Sequence, residues 1–125
     1  MVKSILIVGL GGFIGSVFRF LISRYVQLTY DTVFPWATLL VNILGCLLIG
    51  VVYGVSERSN LLTPEWRIFL TVGLLGGFTT FSTFSNDAFM LLQNKEILRF
   101  AMYTGFSFFF GILAVFTGRG IIKIL

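Results

Sequence analysis

The chain has 125 residues, of which 57% are hydrophobic and only 11% are charged. A soluble domain has about 25% charged residues, so this chain lacks the polar side chains that would cover a water-facing globule. The net charge is +4, but the basic residues lie mostly at the ends of apolar stretches and form no patch that could follow phosphates. The composition therefore excludes an ordinary soluble domain, argues against nucleic-acid binding and predicts an integral membrane protein.

Residue types that serve catalysis and metal binding are scarce. The chain has no histidine and a single cysteine, Cys46, which excludes an intrachain disulfide and a multi-cysteine metal site. The carboxylates are scattered and mostly lie near predicted loops: Asp31, Glu57, Glu65, Asp87 and Glu96. No two of them resemble a general acid and base, so we do not expect an enzyme.

Four stretches are long and apolar enough to cross a bilayer, which takes about 20 mostly apolar residues. We interpret the first as a retained span and not as a signal peptide, because Arg19 follows its apolar core and no small-residue cleavage site comes after it. The predicted fold is all-α, a single membrane domain whose spans cover residues 4–25, 35–55, 66–92 and 97–122.

Two local patterns mark how these spans begin and pack. Thr63-Pro64-Glu65 has the order typical of a helix start: a capping hydroxyl, a proline at the first helical position and an acid in the first turn. Small residues four apart let helix backbones approach closely in membranes. We therefore expect close helix contacts at Gly11/Gly15, Gly50/Gly54 and Gly73/Gly77.

Lys and Arg are spread almost evenly over the two sides of the predicted bundle. One side holds Lys3, Arg58, Arg67, Arg119 and Lys123, and the other holds Arg24, Lys95 and Arg99, with Arg19 if it reaches the surface. Lys/Arg asymmetry orients membrane proteins, so copies of this chain are expected to insert both ways. Four helices are also a small number to enclose an ion path. Both observations favour an antiparallel homodimer.

The first two spans each carry polar residues at membrane depth. Arg19 lies about six residues from the end of its span, and two interpretations are open: it snorkels to the headgroups, or it is a buried cation that attracts an anion or ties two elements together. Asn42 lies midway in the second span, with Thr38 one turn earlier on the same face. Two interpretations of its amide are open: it forms a hydrogen bond between helices, or it donates a hydrogen bond to an anion that has lost part of its hydration shell.

Residues 73–85 carry the strongest functional signal. Gly76-Gly77 and Thr79-Thr80 disfavour a regular helix inside a membrane span, and free backbone is tolerated there only if buried in protein or lining an ion path. The freed carbonyls could hold a cation such as sodium. Phe81 and Phe84 would face the same way if the helix resumed. Phenylalanines on one helix face typically contact lipid or the protein core. The Thr and Ser residues between them favour another role, in which the positive ring edges solvate an anion.

The fourth span adds Tyr103 and Ser107, two hydroxyl donors one turn apart. Ordinary interhelical bonding is an alternative interpretation of this pair. Three motifs contain most of these residues: Gly11-Gly12-x-x-Gly15-x-x-x-Arg19, Thr38-Leu39-x-Val41-Asn42-x-x-Gly45 and Gly76-Gly77-Phe78-Thr79-Thr80-Phe81-Ser82-Thr83-Phe84. With these motifs the chain resembles the Fluc (CrcB) family of fluoride channels, and the third motif is the most specific of the three.

The resemblance implies passive, selective fluoride export across a microbial plasma (inner) membrane by a dual-topology antiparallel homodimer embedded in the lipid bilayer. It implies a structural sodium ion on the backbone carbonyls of Gly76 and Thr79, and no organic cofactor. It places Asp87 in an acidic vestibule. The fluoride path is expected to include Asn42, Phe81, Phe84, Thr38, Thr80, Tyr103 and Ser107. Gly111 departs from the pattern, because some relatives have a further serine there.

Two other functions fit a short four-span chain. A small proton-coupled multidrug exporter needs a carboxylate embedded in the membrane, whereas the first two spans have none and Asp87 lies toward the end of the third. A non-transporting scaffold subunit would not account for an interrupted, hydroxyl-rich third span.

Overall fold

The computed structural model describes residues 1–125 and consists of helices and connecting turns, without strands. Four helical segments are long and apolar enough to cross a membrane, as the sequence predicted. Three of them are continuous helices, and the third span, Pro64–Gln93, is divided. The continuous helices are α1 (Val2–Thr29), α2 (Trp36–Arg58) and α6 (Ile97–Ile124).

The third span consists of four consecutive pieces. These are α3 (Pro64–Ile68), a π-helical segment (Phe69–Leu75), α4 (Gly76–Phe78) and α5 (Phe81–Gln93). The predicted start is confirmed, because the Thr63 side chain accepts a hydrogen bond of 3.2 Å from the Trp66 N–H and Pro64 occupies the first turn.

The helical backbone is interrupted at Thr79 and Thr80. Both residues are extended, with φ/ψ of −91°/160° and −152°/124°. The predicted break is therefore present, but Gly76 and Gly77 themselves remain helical. Gly77 instead provides close packing, because a Cβ there would lie 2.7 Å from the Gly12 carbonyl oxygen of α1.

The helices pack in two pairs along rows of glycine, and the predicted small-residue contacts are confirmed. α1 lies against the π-helical segment, where Cβ atoms on Gly11 and Gly73 would come within 2.7 and 2.9 Å of backbone carbonyl oxygens. α2 lies against α6, where Gly50 and Gly118 leave room for the backbone of the opposite helix. Such contacts replace the hydrophobic driving force that is absent between helices in lipid.

Most of the apolar surface of this chain remains uncovered. Only 22 of the 125 residues are buried, and one compact cluster forms the core between α2, α5 and α6. Its members are Phe34, Leu39, Phe84, Ala88, Leu91 and Tyr103. Large apolar side chains cover the outside, which fits contact with lipid or with another protein subunit.

Candidate functional site

The interruption in the third span is held by a side chain from α2. Asn42 Nδ2 donates a hydrogen bond of 3.0 Å to the Thr80 carbonyl, and the Thr80 N–H donates one of 2.8 Å to Asn42 Oδ1. The amide thus satisfies both backbone groups of one extended residue. Asn42 keeps one N–H on Nδ2 beyond these two bonds.

Arg19 approaches the same interruption from α1. Its Nε donates a hydrogen bond of 3.1 Å to the Gly77 carbonyl, whose helical partner would have been the N–H of Phe81. Of the two interpretations of Arg19, the structure shows the one in which it ties two elements together. The guanidinium satisfies a carbonyl next to the break and places a positive charge there.

The break changes the pairing of the neighbouring backbone. In a continuous helix the Thr80 N–H would bond to the Gly76 carbonyl, but it bonds to Asn42 instead. The Thr79 N–H and hydroxyl both donate to the Leu75 carbonyl at 3.0 Å. The Gly76 carbonyl thereby loses its helical partner, and the Thr79 carbonyl loses its own because the Thr83 N–H donates to Thr80 Oγ1. Oxygens of this kind are ligands for a hard cation.

An open cavity of about 300 Å³ lies beside the interruption, and we call it the break cavity. It brings together seven of the predicted site residues: Asn42, Gly76, Thr79, Thr80, Phe81, Phe84 and Ser107. Six other residues line it that were not predicted as site residues: Gly45, Cys46, Ile49, Thr71, Leu75 and Phe108. Cys46 could have been found, because it lies four residues after Asn42 and so on the same helix face.

The break cavity has no charged side chain among its lining residues. Its most exceptional polar group is the Ser107 hydroxyl, which is buried and has no hydrogen-bond partner. Buried polar groups are nearly always paired. An unpaired hydroxyl donor beside a cavity is therefore suited to a polar ligand or to water.

Two phenylalanine rings line the break cavity in different ways. Phe84 is 7% exposed and meets the Phe108 ring edge to face, with 5.7 Å between ring centroids. Phe81 lies 5.7 Å from Phe84 but is 71% exposed. Phe84 is thus fixed by packing within the chain, whereas the outer side of Phe81 is free to contact another molecule.

The remaining predicted residues, Thr38, Tyr103 and Asp87, do not line the break cavity. The Tyr103 ring lies 5.1 Å from the Phe84 ring, and its hydroxyl donates a hydrogen bond of 3.1 Å to Asp87 Oδ2. Thr38 and Asp87 line a second cavity of about 200 Å³ together with Thr83. Tyr103 therefore contacts one lining residue of each cavity, Phe84 of the break cavity and Asp87 of the second.

This geometry defines an α-helical, multi-pass membrane protein with an interrupted span and an uncharged polar cavity beside the interruption. Residues 6–119 match the family described as CrcB-like protein, Camphor Resistance (CrcB). The chain belongs to the CrcB family.

Relatives of similar length carry a common name. The fluoride-specific ion channel FluC of Flavobacterium psychrophilum is 45% identical over 121 residues, which cover 97% of this chain and 98% of the relative. The FluC of Phocaeicola vulgatus is 47% identical over 116 residues, covering 93% and 95%. FluC 1 of Methanosarcina acetivorans is 44% identical over 116 residues, covering 93% and 88%.

Proposed function

We propose that this chain forms a passive, fluoride-selective ion channel that exports fluoride from the cytoplasm. The observation that carries the proposal is the break cavity, which combines the unpaired Ser107 hydroxyl, the spare N–H of Asn42 and the ring of Phe84 without any charged side chain. The names of relatives at 40–47% identity support the choice of fluoride.

Neutral donors suit a channel for a small, strongly hydrated anion. They replace part of the lost water shell, and a ring presents a positive edge without offering a proton. A full positive charge in the path would hold the ion too tightly, since conduction requires shallow binding. Arg19 lies beside the path and is already bonded to the Gly77 carbonyl, so it raises the local potential without forming a trap.

The proposed path runs from the second cavity to the break cavity. Thr38 and Asp87 belong to the vestibule. Tyr103 and Phe84 would form the passage to the break cavity, where Ser107 and Asn42 offer donors. The exposed ring of Phe81 and the side chain of Thr80 complete the list of path residues. Asp87 is paired with the Tyr103 hydroxyl, which leaves it less suited to the proton exchange that a multidrug exporter needs.

We further propose a structural sodium ion at the centre of a dimer. The carbonyls of Gly76 and Thr79 would contribute ligands from each subunit, and the fit rests on their release from helical pairing. Bound sodium would supply a fixed positive charge and link the two interrupted spans. Replacing sodium with N-methylglucamine on both sides of the membrane is expected to lower flux and to weaken the dimer.

The proposed assembly is an antiparallel homodimer in the plasma (inner) membrane of a microbe. The even distribution of Lys and Arg gives no strong preference for one orientation, and the exposed Phe81 ring offers a surface for the second subunit. Cysteines introduced at Lys3 and Lys95 in a Cys46→Ser background test this. A reagent that cannot cross the membrane should label both positions, and labelling of only one contradicts dual topology.

Purified protein in liposomes loaded with fluoride tests the function. We expect fluoride efflux on an ion-selective electrode without a proton gradient and far slower chloride efflux from matched liposomes. Proton-coupled transport of a cationic dye would instead identify an exporter. The absence of both fluxes would identify a scaffold subunit.

A further inference from the structure

Cys46 is the one thiol of the chain and faces the break cavity from α2. It lies one helical turn after Asn42, so both side chains project from the same face of that helix. Cys46 is partly buried and has no hydrogen-bond partner. A thiol is a neutral, weak hydrogen-bond donor.

Few polar side chains on the break cavity still have a donor to offer. The hydroxyls of Thr71 and Thr79 donate to backbone carbonyls nearby, whereas the Thr80 hydroxyl accepts from the Thr83 N–H and keeps its own O–H. The Ser107 hydroxyl and the Cys46 thiol have no such partner. An ion in this cavity would therefore meet these two groups, the O–H of Thr80 and the spare N–H of Asn42.

Cys46 lies next to a row of residues on α6 that are spaced four apart. Tyr103 and Ser107 are four residues apart on α6, and the next residue at that spacing is Gly111. A Cβ on Gly111 would lie 3.5 Å from Cys46 Sγ, at ordinary contact distance. The thiol thus stands next to the space where α6 offers no side chain.

We propose that Cys46 is a specificity-determining residue of the ion path, whose S–H group donates to the passing anion beside Gly111 and continues the row begun by Ser107. The inference rests on the proposed function and assigns it one more residue. A weak, neutral donor at this point keeps binding shallow, as conduction requires. A hydroxyl at residue 46 can perform the same task, whereas an apolar side chain of similar volume cannot.

The first test replaces the thiol. Cys46→Val is expected to lower fluoride efflux about threefold to tenfold, the range that one lost neutral hydrogen bond produces, and Cys46→Ser, which retains a donor, to conduct clearly better than Cys46→Val. Gly111→Ser in the Cys46→Val background returns a hydroxyl to the same place and is expected to restore most of the flux. Elution volume on size-exclusion chromatography checks that each variant assembles.

The second test uses Ag⁺, because soft thiolate sulfur binds soft metal ions. Ag⁺ replaces the thiol proton: the Sγ–H bond breaks, an Sγ–Ag bond forms, and the proton passes to water without any redox change. Chloride-free Ag⁺ is expected to block wild-type efflux and to leave Cys46→Ser unaffected. The control variant Cys46→Ser/Leu48→Cys moves the thiol to an exposed face of α2 and is expected to remain insensitive.

The outcomes separate the two proposals. A wild-type protein without fluoride flux overturns the proposed function and this inference with it. Wild-type flux that Cys46→Val leaves unchanged overturns the inference alone. If Cys46→Val fails to assemble, the Ag⁺ comparison decides: equal sensitivity of wild type and Cys46→Ser overturns the role of the thiol, and selective block of wild type supports it.

Discussion

Asn42 and Thr80 exchange two hydrogen bonds across 38 positions of the sequence, and together they stabilise the interruption in the third span. A freed N–H or C=O without a partner costs several kcal/mol inside a membrane. The side chain of Asn42 removes this cost for both backbone groups of Thr80. The same amide then has one N–H left for a ligand, so fold and proposed function depend on one residue.

Replacing Asn42 with aspartate is expected to abolish most of the transport. The change removes the donor to the Thr80 carbonyl and places a carboxylate where an anion should pass. Leaving a buried acceptor unpaired costs about 1–3 kcal/mol, and like-charge repulsion adds to it. We expect fluoride efflux from liposomes to fall more than about tenfold, since about 1.4 kcal/mol corresponds to a factor of ten.

The matched control for this variant is Asn94→Asp. Asn94 lies exposed in the turn between α5 and α6, so the same chemical change there should leave efflux unchanged. Equal efflux from Asn42→Asp and wild type, in protein that still assembles, would show that the ion path runs elsewhere.

Phe81 and Phe84 should respond differently to replacement by isoleucine. Phe84 is buried and packs on Tyr103 and Phe108, so its truncation leaves a cavity and costs on the order of 1–3 kcal/mol. Phe81 is 71% exposed in the chain, so the fold should tolerate the change. We expect Phe84→Ile to lower both the melting temperature and the flux, and Phe81→Ile to lower chiefly the flux.

Intrinsic fluorescence during heating in detergent and fluoride efflux provide the two measurements for this pair. A Phe109→Ile variant, on an exposed part of α6, controls for the loss of a surface ring. If Phe81→Ile and Phe109→Ile both conduct like wild type, Phe81 takes no part in the path.

The packing of α1 against the third span predicts a sharp contrast between two glycines of one helix. A Cβ on Gly15 would overlap the Leu74 carbonyl, whereas a Cβ on Gly9 would meet no atom within 4 Å. Gly15→Ala must push the helices apart, at a cost of about 1–3 kcal/mol. Gly9→Ala should be neutral or stabilising by up to about 1 kcal/mol, because alanine favours a helix. Melting temperatures that fall equally in both variants would contradict this packing.

The parts of the fold that the sequence predicted are those with a local signal. Four apolar stretches, the Thr63-Pro64 helix start and the glycine pairs all follow from composition and spacing within one segment. The location of the break was predicted only to within a turn, because Gly76 and Gly77 are as compatible with close packing as with an interruption. The close approach of Gly77 to Gly12 on α1 shows that Gly77 provides packing.

The details of the site could not be predicted in the same way. The partner of Arg19 is the Gly77 carbonyl, 58 residues away, and only the approach of α1 to α4 determines it. The π-helical segment Phe69–Leu75 has no sequence signal that we recognised. Phe108 lines the break cavity beside Ser107, but a phenylalanine in an apolar span is typical of lipid contact as well.

The turn between α5 and α6 offers a stabilising substitution. Lys95 is the one non-glycine residue with positive φ, at 61°. It occupies the position after the helix cap in a Schellman motif, in which the Glu96 N–H bonds to the Leu91 carbonyl at 2.8 Å. This left-handed backbone costs about 1–2 kcal/mol for a residue with a Cβ. Lys95→Gly is therefore expected to raise the melting temperature by a few degrees, as about 1 kcal/mol does in a domain of this size. Asn94→Gly, where φ is −87°, should give no gain, and a gain of the same size there would refute the conformational explanation.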